Sequence, residues 1–425
     1  MIFKSESVVS QLIHSLTELK IRQDDPLKIW FDAINWTFIS NLCACLYSDA
    51  GAPAYNPVSM FKALLFIYLG QAPSERDLAE KLKFDIRLQS LCGFDFFDTP
   101  SHASFHNFRE RLGSELFYDI LHQLIAQAMA VGVIKDTIHT AIDSTHVWAN
   151  SSKFGVKICQ CSGKCECLRK YSDSDARWGH KTKTYAFFGY KVHLIVDTQS
   201  QLPIEVIVTS GEVPDNTQAA DLIDGATQNH PDITITSASM DAAYDDTDVY
   251  RHCVEQNIHP VIALNPRNQE KDTASVNPKV NIDKAGNCFC SRTDIRLVKN
   301  GTEPRRKNRL KLICPPTGER RNCPFREACC PNSKVGKTFY LYPLSDVRLL
   351  GTIPRGSDEW KFLYSQRTSV ERTNSSLKSP THKLDEPRVR GAEQIKTHVF
   401  LSVCALLVKS VGKRKYQKRL PNQLL

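Results

Sequence analysis

The sequence predicts an α/β fold preceded by a helical region and interrupted by a cysteine-rich insertion. Apolar residues recur at helical spacing up to about residue 115, and from Ile138 the pattern changes to alternation at period two with helical stretches between the later strands. Between Leu264 and Ser357 the chain is polar, proline-rich and basic, without long periodicity. With 425 residues, 41% hydrophobic and 24% charged, it can bury a sizeable core and form two or three domains.

The helical region, residues 1–115, contains an apolar run from Val58 to Leu69. Next comes Pro73-Ser74-Glu75-Arg76-Asp77, where Ser74 and Asp77 make an Asp variant of the capping box and start a helix sharply. After an aromatic-rich break at Gly93, Ser101 opens another capped helix whose polar face carries His102, His106 and Arg109. Two capped helices around a turn suggest a helix-turn-helix; from periodicity alone a helical bundle with a polar outer face is equally compatible.

The strand region, residues 136–264, starts at Ile138 and continues with Phe187–Asp197 and Leu202–Val208, joined by a Gln199-Ser200-Gln201 turn. A helix near 216–227, a strand at Ile233, a helix near 247–256 and a strand at Pro260–Leu264 complete the order of three antiparallel strands, helix, strand, helix, strand. Residues 265–355 form the insertion and 356–411 the closing helices, with a basic tail over 412–425 expected to be mobile.

Carboxylates punctuate this scheme. Asp143, in Ala141-Ile142-Asp143-Ser144-Thr145, and Asp241, in Ser239-Met240-Asp241-Ala242-Ala243-Tyr244, each end a strand. Near the C-terminus, helical spacing places Tyr364, Arg367, Glu371 and Lys378 on one face. On an isolated helix that face would read as solvated, with an ordinary ion pair. Two strand-end aspartates and a helix glutamate make a metal site plausible.

At these residues the chain resembles the DDE transposases of bacterial insertion sequences, in the IS4/IS5-like superfamily and in an IS1182-like arrangement. Asp241-Ala242-Ala243-Tyr244 fits that family's D-x-[AG]-[YF] motif, and Tyr364, Arg367, Glu371 and Lys378 fit Y-x2-R-x3-E-x6-K. The resemblance covers most of the chain. It implies an RNase H-like core, which the strand order matches, with Asp143 and Asp241 on adjacent strands and Glu371 completing a catalytic triad. It further implies Mg²⁺ or Mn²⁺ at those oxygens for in-line displacement at phosphorus, and double-stranded DNA as partner, gripped by Tyr364, Arg367 and Lys378. The N-terminal helices, with His106 and Arg109, become a DNA-binding domain recognising the element's terminal repeats, separable from a catalytic region that folds without residues 1–115. Synapsis of two ends implies a dimer or higher on DNA, although no dimerisation motif stands out. The competing reading is a catalytically silent, metal-stabilised DNA-binding protein derived from a transposase; a nuclease sharing the fold fits the third motif less well.

The formal net charge of +9 is concentrated in Arg305-Arg306-Lys307, Arg309, Lys311, Arg320-Arg321 and the tail, which suits a polyanionic partner once joined to the carboxylate motifs. No basic, apolar, small-residue leader opens the chain, and the run Val399–Val408 is too short to span a bilayer, so a cytoplasmic protein without membrane association is expected.

Fifteen cysteines in such a protein should be reduced or metal-bound. Cys159, Cys161, Cys165 and Cys167 form C-x-C-x3-C-x-C between the first two strands, with zinc the leading reading and surface thiols the alternative. In the insertion, Cys290, Cys314, Cys323 and Cys329 are the chosen ligands of a second zinc, which would replace a hydrophobic core the insertion lacks. Asp245, Asp246 and Asp248 are expected to cap the next helix, Trp148 to be a core residue, and His146 to lie off the active face.

Overall fold

A computed structural model describes residues 2–419 except 158, 160, 163–166, 168, 182–183, 268–274, 276, 307–308, 316–322, 334–335, 344 and 352. Seven helices come first: α1 (Val8–Lys20), α2 (Pro26–Asp32), α3 (Thr37–Leu42), α4 (Pro57–Tyr68), α5 (Glu75–Leu82), α6 (Ile86–Cys92) and α7 (His102–Ala130). Their starts follow the sequence signals. Ser74 and Ser101 accept hydrogen bonds from the backbone N–H groups of Asp77 and Ser104, and Asn56 caps α4 ahead of Pro57. Helix α7 bends at Gly113, whose φ of 66° an L side chain would strain, so the polar segment before it and the buried segment after it take different directions.

One mixed sheet follows. Strands β1 (Thr137–Trp148), β2 (Arg177–His180), β3 (Ala186–Asp197), β4 (Pro203–Ser210), β5 (Thr234–Met240) and β6 (His259–Ile262) are arranged so that β3 pairs antiparallel with β1, β4 and β2. β1 pairs parallel with β5, and β5 with β6. Helix α8 (Ala219–Asn229) joins β4 to β5, and α9 (Thr247–Glu255) joins β5 to β6. Strand β2 was not foreseen: it occupies the end of β3 that β4 leaves unpaired.

The insertion folds as two small sheets, β7 (Val280–Ile282) with β8 (Cys288–Cys290), and β9 (Val298–Glu303), β10 (Arg309–Ile313) and β11 (Thr338–Leu341), plus the short helix α10 (Arg326–Cys329). It buries Val280, Ile282, Leu297, Leu310, Leu312, Phe339 and Leu341 together. The expectation that it lacks a core is therefore corrected: alternation in Arg309-Leu310-Lys311-Leu312 supplies one, in a run too short to stand out among the polar residues.

Helices α11 (Asp358–Ser365), α12 (Thr368–Leu377) and α13 (Ala392–Arg419) close the chain. Helix α13 is long and apolar enough to cross a membrane by composition, but 83% of its most apolar window is buried inside the protein. It packs against α7, α2, α4 and β4, so the N-terminal helices and the sheet share one continuous core. Two expectations are corrected by this. The described part of the basic tail is helix, with Lys415 Nζ donating to Ala33 O and Lys418 Nζ to Val131 O. And residues 1–115 are not separable, because their removal would expose the apolar face of α13 to water.

Candidate active site

The parallel pairing of β1 with β5 runs to Ala141 opposite Ser239; two residues further on, Asp241 follows the end of β5 as expected, whereas Asp143 lies within β1 rather than at its end, because β3 pairs with β1 as far as Trp148. Helix α12 lies across β1 and β3 and supplies Glu371. All three carboxylates line one cleft of about 580 Å³. Its wall also contains Asp215, His146, His180, Lys181, Lys191, Arg367, Asn374 and Lys378.

The cleft gathers negative charge. Burial, with the neighbouring Asp241 and Asp215 carboxylates, pushes Asp143 up to about 7 despite the Ser144 N–H and Arg367. Asp241 is oriented by accepting the Ala243 N–H at 2.8 Å. Tyr244 is buried beneath, its phenol held protonated by burial and by Asp215, Asp143 and Asp241. Glu371 pairs with Arg367 at 2.7 Å, the intrahelical-type contact expected of an isolated helix, here made inside the cleft.

The four residues of the third motif do not share one helix. The chain turns between α11 and α12 at Gln366 and Arg367, and Tyr364 stacks on Trp360 with centroids 4.8 Å apart. Tyr364 therefore packs with Val261, Ile353 and Leu363 rather than lining the cleft. Lys378 lines it, but its ammonium donates to His146 O at 2.8 Å and pairs with Asp385 at 2.9 Å, which ties the exit of β1 to α12.

Arg109 also departs from expectation. It is 7% exposed, with its guanidinium bonded to Glu75 and Gln394, so it joins α7, α5 and α13 instead of facing solvent. Arg109→Met is expected to lower stability by about 3 kcal/mol, since it leaves Glu75 without its partner, while DNA affinity of the folded variant stays within twofold. Chemical denaturation beside a binding titration checks both. His106, by contrast, is exposed on the same segment.

Three expectations near the site also change. Trp148 is 37% exposed rather than core, and it clusters at the mouth of the cleft with His146, Tyr185 and Phe187. His146 lines the cleft after all. Only Asp246 of the three downstream aspartates is the helix N-cap; Asp245 is buried against Arg348.

Sequence reasoning missed Asp215 and Lys191, which pair at 2.9 Å in the cleft. A signal for Lys191 existed: it is a charged residue in the otherwise apolar Phe187–Val196 strand, and burying a lysine demands a partner. Asp215 follows β4 in an unremarkable turn, and only the pairing of β3 with β4 brings it near.

The thiols divide in two. Cys159, Cys161 and Cys167 hold their sulfurs within 4.8 Å of one another, and among the described residues no other set of three potential ligands is so close; Cys165 lies outside the described residues. In the insertion, Cys290, Cys314, Cys323, Cys329 and Cys330 line a shared apolar pocket with Phe325 and Phe339. Burial raises the Cys314 thiol, and Cys330, Cys290 and Cys323 raise it further.

The family profile described as "Transposase DDE domain" matches residues 134–408, and "Transposase domain (DUF772)" matches residues 15–111. No curated protein matches the sequence. Among solved structures, the chain is similar to a piggyBac transposase synaptic complex with hairpin DNA, determined by cryo-EM. The identity is 10% over 93% of this chain and 79% of that one, with a TM-score of 0.40.

Proposed function

The chain belongs to the DDE transposases of insertion-sequence type, and from that premise we propose that it cleaves and joins the DNA ends of an insertion sequence with Asp143, Asp241 and Glu371 as the ligands of its divalent ions. The observation that carries this reading is the convergence of the three motif carboxylates on one cleft, where burial and the neighbouring Asp241 and Asp215 carboxylates raise Asp143. Oxygen donors of this kind suit Mg²⁺ or Mn²⁺. When bound, such ions activate the attacking oxygen and stabilise the leaving one.

The chain's own residues do the rest. The parallel pairing of β1 with β5, up to Ala141 and Ser239 two residues short of Asp143 and Asp241, supports gathering their charge with little reorganisation. Arg367 holds Glu371 in place and, lining the cleft, offers a planar donor for a phosphate. Lys378 keeps α12 against β1, and Lys191 restrains Asp215 at the cleft wall. The strand order β4-β3-β1-β5-β6, antiparallel then parallel, favours an RNase H-like core, and the exposed face around His106 favours DNA contact by the N-terminal helices. In the insertion, Cys290, Cys314 and Cys323 would hold a structural zinc with Cys329, or with its neighbour Cys330, as the fourth ligand. The direct test is incubation of purified protein with a duplex carrying the DNA that flanks its own gene. Mg²⁺-dependent nicking at the element boundary is expected, and a protein that binds this DNA without cutting it would favour the silent DNA-binding alternative.

The dimer that two-ended transposition requires has a candidate surface. In α1, Val9, Leu12, Leu16 and Leu19 repeat at spacings of three, four and three, and all are more than half exposed. That is a coiled-coil seam suited to a second copy of the same helix. Leu12→Glu with Leu16→Glu is expected to shift sedimentation of the DNA complex from two protomers to one. Unchanged mass would place the contact elsewhere.

A further inference from the structure

We propose a thiolate metal site, filled by zinc, in the hairpin that joins β1 to β2; the inference stands on different residues from the carboxylate cleft. The segment folds back on itself: Val156 and Lys170 exchange backbone hydrogen bonds of 2.7 and 2.8 Å. Beyond that bridge, the sulfurs of Cys159, Cys161 and Cys167 lie within 4.8 Å of one another, with Cys161 and Cys167 at 3.5 Å. Sulfurs around a tetrahedral zinc, at about 2.3 Å from the metal, stand roughly 3.8 Å apart. The three thiols are therefore already near ligand spacing, while a disulfide would need about 2.05 Å.

Chemistry selects the ion. Thiolates are soft donors that choose zinc over the hard cations suited to oxygen ligands, so the two kinds of site need not compete. Lys153, Lys157, Arg169 and Lys170 flank the cluster in sequence and make the hairpin basic. Packing offers the hairpin little, since Phe154 is 67% and Val156 62% exposed. A metal crosslink can supply the order that burial does not. Cys165 is the remaining sulfur of the motif and lies outside the described residues.

The position gives the site a use. The hairpin is rooted between β1, which carries Asp143, and β2, whose His180 lines the cleft. Fastened by metal, it is a stiff basic arm at the lip of that cleft, suited to a phosphate backbone.

The test is elemental analysis of the full-length protein, paired with Co²⁺ substitution read by visible absorption. Cys161→Ser is expected to lose one equivalent of zinc relative to wild type, and Cys161→Ser combined with Cys323→Ser one equivalent relative to Cys323→Ser alone, because Cys323 belongs to the separate site proposed in the insertion. Cys161→His, which retains a ligand, should restore the metal and the intense absorption of tetrahedral cobalt. Trypsin should then cut Cys161→Ser within residues 153–170 at least tenfold faster than wild type or Cys161→His. Equal zinc content in wild type and Cys161→Ser, both folded by circular dichroism, would overturn the proposal, as would wild-type protein from zinc-supplemented medium that lacks the equivalent.

Discussion

Asp241→Ala is expected to reduce Mg²⁺-dependent cleavage of end DNA by more than about 1,000-fold, the scale lost when a group acting in the transition state is removed. Asp143→Asn and Glu371→Gln should fall as far, because each deletes a negative charge from the ion site without changing side-chain shape. The effect should be confined to chemistry: the three variants should bind the duplex as tightly as wild type or tighter, since phosphates then meet less negative charge in a cleft that holds four carboxylates. Asp215→Asn is the informative comparison. Asp215 is already paired with Lys191, so its loss should cost far less than that of Asp241. Cleavage by Asp241→Ala at close to the wild-type rate would remove the assignment, and equal losses for Asp215 and Asp241 would enlarge the ligand set to four.

The largest expected effect on stability comes from the ion pair that docks the return of the insertion onto the sheet. Asp245 has no side-chain exposure and receives both guanidinium arms of Arg348, at 2.8 and 2.7 Å, with further bonds from Tyr250 Oη and the Asn265 N–H. Burial alone would raise its carboxyl, but Arg348 and the Asn265 N–H outweigh that and hold it below the ordinary carboxylate range. In the wild type this contribution is present above the unfolded-state value near 4 and is lost as pH falls through the lower folded-state value.

Arg348→Met leaves a buried carboxylate unpaired and should cost about 3–5 kcal/mol at pH 7. The sign of its pH dependence then reverses. An unpaired buried Asp245 takes a raised pKa, so the deficit should shrink as pH falls from 7 towards 5 and the carboxyl protonates. Thermal or urea unfolding at the two pH values measures this; a deficit below about 1 kcal/mol, or one that grows on acidification, would show that the pair does not hold the return segment. Because Asp245 follows Asp241 by four residues, the same variant should also weaken cleavage.

Features carried by a few consecutive residues were legible in the sequence. The serines before α5 and α7, the switch of period at Ile138 and the position of Asp241 just after a strand are local signals, whereas Asp143 sits within β1 and not at its end. The structure has those caps, a mixed α/β architecture and a transposase family to match. What only the tertiary structure decided is which side chains meet. Arg109 reads as an exposed basic residue until α5 and α13 close over it, and Tyr364 reads as part of one helix face until the turn at Arg367 sends it onto Trp360. Lys191 and Asp215 reach the cleft through the register of β3 against β1 and β4. The insertion's core comes from strands separated by long polar stretches. The physical reason is common to all of these: propensity, capping and periodicity act over one or two turns of chain. Burial and charge pairing are set by contacts between segments far apart in sequence, whose geometry exists only after the sheet has formed.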